Sequence, residues 1–299
     1  MLLRSSSEAR ALIVDPSARR AYPPPMSRHF WIGLALVAVA WPLNWTLDDL
    51  RTHLLFFPLW LGYVLVVDGI VLRRTGSSML RRSRTGFVLM FVFSAAVWWL
   101  FELINLRIRN WRYDGREYFT DLEYALLASL SFSIVIPAVF ETADLWRSFK
   151  WSRTWEKHRP VLVSRRMLIG WFFGGLAMIV LVVAFPRFTY PLTWIALLFL
   201  VEPVAYRLRR ASLLHHLERG DWTPWIVLPL GAITCGFFWE MWNFWSYPKW
   251  IYDVPGFNFW HVFEMPFFGY FGYLPFGLEL YPLIHLLLGP KAQRTLGWS

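Results

Sequence analysis

Two glutamates in apolar, tryptophan-rich surroundings are the residues of this sequence best suited to chemistry. Glu102 and Glu240 each stand three positions before an asparagine, Asn105 and Asn243 respectively. A spacing of three residues places the carboxyl and the amide on one face of a helix. Apolar neighbours favour the neutral, proton-donating form of a carboxyl group. The sequence therefore predicts two candidate general acids, each oriented by its asparagine.

The segment after Glu240 adds a third candidate acid and a dense set of aromatic rings. Glu264 follows His261 by three residues, and we expect it to act with Glu240 or Glu102. Aromatic faces stabilise cations, so rings around a protonated acid suit a reaction that protonates an alkene and steers the carbocation. A plainer interpretation of the rings is an aromatic belt at the outer membrane interface. The predicted substrate-binding residues are Asn243, Asn105, Trp239, Trp242, Tyr252, Asp253 and His261.

These side chains need a scaffold that lies in lipid. Of the 299 residues, 57% are hydrophobic and only 17% are charged, which is too apolar for an ordinary soluble domain. A helix needs about 20 mainly apolar residues to cross the hydrocarbon core of a membrane. The sequence therefore predicts an all-α fold, a polytopic transmembrane bundle of about eight spans, at 30–45, 54–72, 86–106, 123–143, 167–185, 190–206, 225–244 and 267–288.

The distribution of basic residues predicts the orientation of the bundle. With the N-terminus inside, 23 of the 30 lysines and arginines fall in inner segments and seven in outer ones. Such an asymmetry is typical of cytoplasmic loops. We therefore expect a multi-pass protein of a bacterial-type inner membrane with both termini in the cytoplasm. Its net charge of +10 indicates lipid headgroups as partners and no nucleic acid.

The chain matches itself at an offset of about 138 residues. Matching positions include Ser27 and Ser164, Glu102 and Glu240, Asn105 and Asn243, and the segments 111–114 and 250–253. We expect a disordered cytoplasmic tail (1–26), a first four-helix repeat (27–146), a basic cytoplasmic linker (147–163), a second repeat (164–290) and a cytoplasmic tail (291–299). Parallel repeats commonly place a binding site at their interface. Because His261 has no close counterpart, we expect the chemistry in the second repeat.

A second layer of acids lies towards the predicted cytoplasmic ends of the spans. Asp68 and Glu202 are each followed, five positions later, by an arginine, Arg73 or Arg207. A carboxylate near a helix end can pair with such a residue at the interface, so we expect structural ion pairs there. The same layer contains Glu141, Glu279 and His285.

Duplicated helical units, buried glutamates and dense aromatic residues resemble two families of membrane enzymes. These are the integral-membrane lycopene cyclases and the small membrane terpene cyclases, which use acidic residues to start the cyclisation of an isoprenoid. The resemblance implies a helical bundle and a hydrophobic small-molecule substrate. The stretch 238–281, with Phe-Trp-Glu-Met-Trp-Asn at 238–243 and Phe-Glu-Met-Pro at 263–266, also resembles a family of bacterial polytopic membrane proteins. No residue role is carried over from either resemblance.

Four functions remain open from the sequence. The first is an enzyme that cyclises or isomerises a lipid-soluble isoprenoid. The second is a transporter that uses the paired carboxylates to bind a cation or relay protons. In the third, Glu240, Asn243, His261 and Glu264 bind a divalent metal, although we expect no metal or other cofactor. The fourth is an accessory subunit of a membrane complex. The sequence contains no Gly-rich phosphate loop, no Gly-x-Ser-x-Gly and no His-Glu-x-x-His, so nucleotide hydrolysis, serine hydrolysis and zincin chemistry have no support.

Overall fold

The computed structural model describes residues 25–47 and 54–298. This part of the chain is a bundle of α-helices with two short strand pairs. The helices are α1 (Arg28–Thr46), α2 (Phe56–Thr75), α3 (Met79–Arg82), α4 (Arg84–Ile108), α5 (Asp121–Phe132), α6 (Val135–Arg147), α7 (Arg165–Ala184), α8 (Pro186–Thr189), α9 (Thr193–Arg207), α10 (Leu213–Glu218), α11 (Thr223–Phe244), α12 (Tyr273–Leu288) and α13 (Pro290–Leu296). The strands are β1 (Trp111–Asp114), β2 (Lys249–Tyr252), β3 (His261–Val262) and β4 (Met265–Pro266).

Seven helical segments among the described residues are long and apolar enough to cross a membrane. They are Phe56–Thr75, Arg84–Ile108, Asp121–Arg147, Arg165–Ala184, Pro186–Arg207, Thr223–Phe244 and Phe267–Leu288. Each of them overlaps one of the predicted spans. The prediction of an all-α polytopic membrane bundle is therefore confirmed, and the chain is an integral membrane protein.

The first predicted span, at 30–45, corresponds to α1, which is not one of these seven segments. At 19 residues, α1 is about 28 Å long. It runs antiparallel along α2: Gly33 meets Gly62, and Phe30 meets Gly69. At its far end, Asn44 Nδ2 donates to Trp242 O at 3.0 Å. Helix α1 therefore extends through the depth of the bundle beside α2.

The segments that connect or follow the long helices lie at the two ends of the bundle and differ in composition. We call one the basic end; it comprises residues 76–83, 148–164, 208–222 and 289–298. We call the other the aromatic end; it comprises residues 109–120, 185–192 and 245–272. Segments 1–24 and 48–53 lie outside the described residues, and so does most of the predicted tail 1–26. The predicted domain boundaries stay a prediction.

Matching serines begin the first helix of each half. Ser27 is the N-cap of α1 and accepts a hydrogen bond from Phe30 N. Ser164 is the N-cap of α7 and accepts from Met167 N. A side-chain oxygen at this position satisfies a backbone N–H group that has no partner within the helix. The Ser-Arg pairs seen in the sequence at 27–28 and 164–165 are thus helix starts.

A serine of α4, Ser94, forms hydrogen bonds with backbone groups on both sides of the break between α5 and α6. Pro137 has no N–H to continue the helical hydrogen bonds through this point. Ser94 Oγ donates to Phe132 O at 2.6 Å and accepts from Ile136 N at 3.0 Å. These bonds satisfy backbone groups that lipid could not, so the segment 121–147 remains one span despite its interruption.

Strands β1 and β2 join the two halves of the chain at the aromatic end. They pair antiparallel, with Trp111 opposite Tyr252 and Tyr113 opposite Trp250. The repeat had matched Trp111 with Trp250 and Tyr113 with Tyr252. Replacing both members of the pair Trp111–Tyr252 by their repeat counterparts gives the pair Trp250–Tyr113, which is the exchange that a twofold axis between the strands produces.

The predicted pairing of Asp68 with Arg73 and of Glu202 with Arg207 is wrong. Both arginines are exposed, and both carboxylates bind the backbone of the next short helix. Asp68 Oδ1 accepts from Leu80 N at 3.0 Å, and Glu202 Oε1 accepts from Leu214 N at 2.7 Å. Five helical positions correspond to a rotation of about 140°, so each arginine points away from its acid.

The segment predicted as a C-terminal cytoplasmic tail, 291–299, is largely ordered. Its residues up to Leu296 belong to α13, and Leu296 and Trp298 are buried. Trp298 Nε1 donates to Asp144 Oδ1 at 3.3 Å. Apolar burial and this hydrogen bond anchor the segment to α6 at the basic end.

Candidate functional site

A cavity of about 220 Å³ lies at the aromatic end and is lined by both halves of the chain. Helices α4 and α5 and strand β1 form one side, and α11, β2 and the start of α12 form the other. Thirteen of the 28 lining residues are aromatic, so the cavity suits an apolar guest with a few polar groups. The aromatic lining residues are Phe56, Trp98, Trp111, Tyr113, Phe119, Tyr124, Phe132, Tyr190, Trp194, Trp239, Trp250, Tyr252 and Tyr273.

Glu102 lies behind the first side of this wall. Its Oε1 accepts hydrogen bonds from Trp98 Nε1 at 3.0 Å, from Trp111 Nε1 at 3.0 Å and from Tyr113 Oη at 2.5 Å. All three donors line the cavity, whereas Glu102 does not. Three donors on one oxygen stabilise the ionised carboxylate.

Glu240 lies behind the opposite side of the wall. Its Oε1 accepts from Tyr252 Oη at 2.8 Å and from Tyr273 Oη at 2.7 Å. The side chain is fully buried, and Oε2 has no hydrogen-bond partner among the described atoms. Two tyrosines therefore connect Oε1 of Glu240 to the cavity, whereas Oε2 takes no part in this link.

Trp111 donates to Glu102 in the first half, but its counterpart in the second half, Trp250, makes no such hydrogen bond to Glu240. Trp250 matches Trp111 in the repeat, and its Nε1 approaches Glu240 without a hydrogen bond of normal geometry. Trp250 also lines the cavity. Trp250 Nε1 and the Oδ1 of Asn110, another lining residue, are buried atoms without a hydrogen-bond partner among the described atoms, so neither is presented to the cavity.

The tyrosines that connect the acids to the cavity keep their protons at neutral pH. Loss of hydration, followed by the charge of Glu102, raises the pKa of Tyr113 well above its usual value. Loss of hydration, followed by the charge of Glu240, does the same to the pKa of Tyr252. Both hydroxyl groups are therefore hydrogen-bond donors that can pass a proton only if they receive another.

Asn105 and Asn243 brace the turns that lead into the two paired strands. Asn105 Nδ2 donates to Trp111 O at 2.8 Å, and its Oδ1 accepts from Asn110 N at 2.9 Å. Asn243 Nδ2 donates to Trp250 O at 2.7 Å, and its Oδ1 accepts from Trp250 N at 2.9 Å. Neither amide lines the cavity; each fixes the strand that carries a tyrosine into it.

Glu264 lies at the edge of the site and forms an ion pair with Lys249. Lys249 lines the cavity, as does Arg116, which pairs with Asp121 and lies 4.2 Å over the Tyr124 ring. Two basic side chains thus belong to the wall, one from each half. Glu264 neutralises one of them and is not itself a lining residue.

The remaining predicted site residues are divided between the wall, the core and the surface. Trp239 lines the cavity, together with Tyr252. Trp242 is buried against Trp41 and Trp60 and lies outside the lining. Asp253 and His261 are exposed, and His261 Nε2 lies 3.2 Å from Asn258 Oδ1. The structure thus places Trp239 and Tyr252 in the lining of the cavity and Glu102 and Glu240 behind that lining. Asp253 and His261 lie apart from it.

Of the three tyrosines that connect the acids to the cavity, the sequence predicted only Tyr252. Tyr113 was visible as the repeat partner of Tyr252, which could have identified it. Tyr273 gave no such signal, because it lies 33 positions from Glu240. Only the packing of α12 against α11 brings its hydroxyl to the carboxylate.

Residues 25–47 and 54–298, the part of the chain that the structure describes, contain no group of side chains placed to bind a metal ion. No three His, Cys, Asp or Glu side chains there lie close enough together to hold an ion. Glu264 is paired with Lys249, and His261 lies on the surface. The set considered for a metal, Glu240, Asn243, His261 and Glu264, is therefore not assembled around one point.

No protein-family model, no curated protein and no solved structure matches this chain.

Proposed function

We propose that this integral membrane protein binds a lipid-soluble isoprenoid in the aromatic cavity and cyclises or isomerises it by acid–base catalysis. Glu240 is the proton donor, and Tyr252 and Tyr273 carry the proton to the substrate. The observation on which this proposal depends is that both tyrosines line the cavity and donate to one oxygen of a fully buried glutamate.

The hydrogen bonds support a simple proton path. A neutral Glu240 donates to one tyrosine and accepts from the other, and the first tyrosine then turns its own O–H towards the cavity. Protonation of an alkene carbon ends with Glu240 ionised, Tyr252 or Tyr273 neutral and a carbocation in the cavity. The carboxylate recovers the proton from a neighbouring carbon by the reverse path, so no other reactant is needed.

The wall supplies what the cationic intermediate needs. Ring faces attract positive charge, and thirteen aromatic residues surround the cavity. Glu102, with three donors on one oxygen, is suited to remain ionised and stabilise the cation from the opposite side.

We also propose the orientation of the protein in its membrane. The basic end faces the cytoplasm of a bacterial-type cell and the aromatic end faces outwards, with the cavity near the outer interface. The excess of arginine and lysine in the basic end supports this orientation.

Deuterium incorporation tests the proposed chemistry directly. Purified protein in lipid nanodiscs is incubated in D₂O with squalene, lycopene or geranylgeraniol, and the recovered lipid is analysed by mass spectrometry. We expect the native protein to place deuterium on at least one probe. Glu240→Gln should reduce the rate roughly 100-fold or more, the usual contribution of a general acid.

Glu102→Gln is the matched control, because the two glutamates occupy corresponding positions. We expect it to lower the rate less than Glu240→Gln does, since Glu102 does not supply the proton. Undiminished incorporation in Glu240→Gln would contradict the proposal. So would the absence of incorporation in the native protein when quenching of tryptophan fluorescence shows that the probes bind.

Cation transport is a second candidate, favoured by one specific observation. Four carboxyl groups towards the basic end, those of Asp68, Glu141, Glu202 and Glu279, are fully buried. Such groups in spanning helices often mark an ion or proton route. Ion flux in proteoliposomes that is lost in Glu141→Gln or Glu279→Gln, without any deuterium transfer, would support this candidate.

A further inference from the structure

The lining of the aromatic cavity contains positively charged side chains and no negatively charged ones. The 28 described residues that form it include two basic residues, Arg116 and Lys249, and no aspartate or glutamate. The acidic partners of these two, Asp121 and Glu264, lie outside the lining. The wall of the aromatic cavity therefore has an excess of two positive charges.

A second cavity, of about 310 Å³, lies at the basic end of the bundle, and we call it the polar cavity. Its lining contains two arginines, Arg147 and Arg219, but also Glu156 and Asp221. Basic and acidic groups thus balance within that wall. The excess of positive charge distinguishes the aromatic cavity from the polar one.

The two basic residues of the aromatic cavity come from different halves of the chain but lie at one end of the β1–β2 pair. Lys249 pairs with Asp114, the last residue of β1, and Arg116 follows two positions later. A Cβ atom on Gly115 would lie 2.8 Å from Pro248 Cβ, so the two chain segments are in contact. The side chains of Arg116 and Lys249 are 33% and 24% exposed. This end of the cavity is therefore a charged, accessible mouth.

Each basic side chain has more N–H groups than its present partners use. Arg116 donates to one backbone carbonyl, at 2.7 Å, and to Asp121. Lys249 donates to one backbone carbonyl, at 3.3 Å, and to Glu264. These bonds within the described part of the chain use two of the five N–H groups of the guanidinium and two of the three of the ammonium. Donors therefore remain for an anion, and water screens the charge of Asp121, which is fully exposed.

The strand pair also sets the distance between the mouth and a proposed proton donor. Tyr252 follows Lys249 by three positions in β2, which corresponds to about 10 Å along a strand. Aromatic side chains from both strands line the cavity between these levels, Tyr113 and Trp250 among them. A guest with an anionic head and an apolar tail fits this arrangement, because its head can lie at the mouth while its tail passes Tyr252.

We propose that the isoprenoid bound in the aromatic cavity carries a phosphate or diphosphate group, which Arg116 and Lys249 bind at the mouth. This inference rests on the proposed function in one respect, namely that the cavity binds an isoprenoid. Arginine binds phosphate oxygens in pairs, and lysine binds them as a point charge. The phosphate ester stays intact, and the alkene that receives the proton lies about 10 Å along the tail, at the level of Tyr252. The anion also offsets two positive charges that would otherwise repel a carbocation.

Two lipids with the same tail test this proposal. Geranylgeraniol and geranylgeranyl phosphate are each titrated into the protein in phosphatidylcholine nanodiscs, while tryptophan fluorescence is recorded. We expect the native protein to bind the phosphate roughly 10-fold or more tightly, with both affinities expressed as mole fractions of the lipid. Lys249→Gln and Arg116→Gln should each weaken binding of the phosphate roughly 10-fold, the usual effect of losing a hydrogen bond to a charged group. Unchanged binding of geranylgeraniol shows that each variant keeps its fold.

Arg112→Gln is the matched control. Arg112 lies on β1 beside Tyr113, its side chain is 64% exposed, and it does not line the cavity. We expect this variant to bind both lipids as the native protein does. Phosphatidic acid, which carries the same phosphate group on two acyl chains, tests whether an ordinary membrane lipid binds as well.

Three results would overturn the proposal. The first is equal affinity of the native protein for geranylgeraniol and geranylgeranyl phosphate. The second is a loss of phosphate binding in Arg112→Gln as large as that in Lys249→Gln. The third is displacement of geranylgeranyl phosphate by phosphatidic acid with equal affinity. Failure of the proposed chemistry looks different, since preferred binding of the phosphate without deuterium transfer would contradict the role of Glu240 and leave the anion site in place.

Discussion

Glu102 and Glu240 show how neighbouring donors give one residue type two different properties. Glu102 receives two indole N–H groups and one phenol on a single oxygen, whereas Glu240 receives two phenols. Indoles donate but cannot accept, so they favour a negative charge at Glu102. Phenols can do both, so the donors around Glu240 suit either protonation state. The two acids also differ in burial, because Glu102 is half-buried and Glu240 is fully buried.

Asn243 provides a test of the turn that positions Tyr252. Asn243→Ala removes the partners of both the N–H and the C=O of Trp250. We expect it to lower the free energy of unfolding by roughly 1–3 kcal/mol, the cost of polar groups left unpaired in a buried place. Chemical unfolding in detergent micelles, followed by tryptophan fluorescence, measures this change.

Asn258→Ala serves as the control for this measurement. Asn258 is exposed, and its Oδ1 lies near the ring of His261 in a surface loop. We expect a change of less than about 0.5 kcal/mol. Equal decreases in the free energy of unfolding of the two variants would contradict a stabilising role of Asn243 in this turn.

At the scale of the element, the sequence identified the spanning helices because long apolar segments have few alternatives in lipid. It did not reveal β1 and β2, since strands of four residues carry too little pattern and their partners lie about 140 positions apart. The proposed site depends on that pairing. It brings Tyr113 and Tyr252 to one cavity, and the packing of α12 adds Tyr273. Their predicted companions Asp253 and His261 carried suitable chemistry, but spacing along the chain does not show which way a loop turns.

Helices α1 and α2 approach each other at two glycines. A Cβ atom on Gly33 would lie 2.6 Å from Gly62 O, and one on Gly62 would lie 2.7 Å from Gly33 O. Small residues of this kind let spanning helices pack backbone to backbone. We expect Gly33→Ala to lower the free energy of unfolding by about 1–3 kcal/mol, because the helices must separate.

The repeat supplies the control for this variant. Gly170 matches Gly33 in the sequence, but no atom lies within 4 Å of the Cβ position there. We expect Gly170→Ala to be neutral or to stabilise the protein by up to about 1 kcal/mol, because alanine favours the helix. Unfolding of both variants in the same detergent separates helix contact from helix propensity, and a loss in Gly170→Ala alone would contradict the packing of α1.

At the scale of the whole molecule, two cavities of different chemistry lie at opposite ends of one bundle. The aromatic cavity is lined from both halves. The polar cavity at the basic end is lined mainly by residues of the second half, namely His216, Arg219, Asp221, Thr223 and Pro224. Glu102 and Glu240 occupy corresponding positions of the repeat but have different hydrogen-bond partners. Matching residues of the two halves therefore differ in their contacts.

The orientation of the molecule depends on whether α1 crosses the membrane. Helix α1 extends from His29, whose Nε2 lies 2.9 Å from Asp68 Oδ2, to Asn44, which binds Trp242 O. Both contacts are with spanning helices and lie near opposite ends of α1. We therefore expect α1 to cross, so that residue 25 and the C-terminal segment lie on the same side.

Single cysteines introduced into a Cys235→Ala background test this topology, because Cys235 is the only natural cysteine and is buried. Pro25→Cys and Gln293→Cys mark the two ends of the described chain at the basic end, and Asn258→Cys marks the aromatic end. In intact cells, a thiol reagent that cannot cross the membrane should label Asn258→Cys alone. All three should react once the membrane is opened. Labelling of Pro25→Cys together with Asn258→Cys would mean that α1 does not cross. Labelling of Gln293→Cys in intact cells would instead show that the whole bundle has the opposite orientation, with the polar cavity outside. This outcome does not depend on α1, because a count of seven or eight spans changes the side of the N-terminus but not the side on which α12 ends.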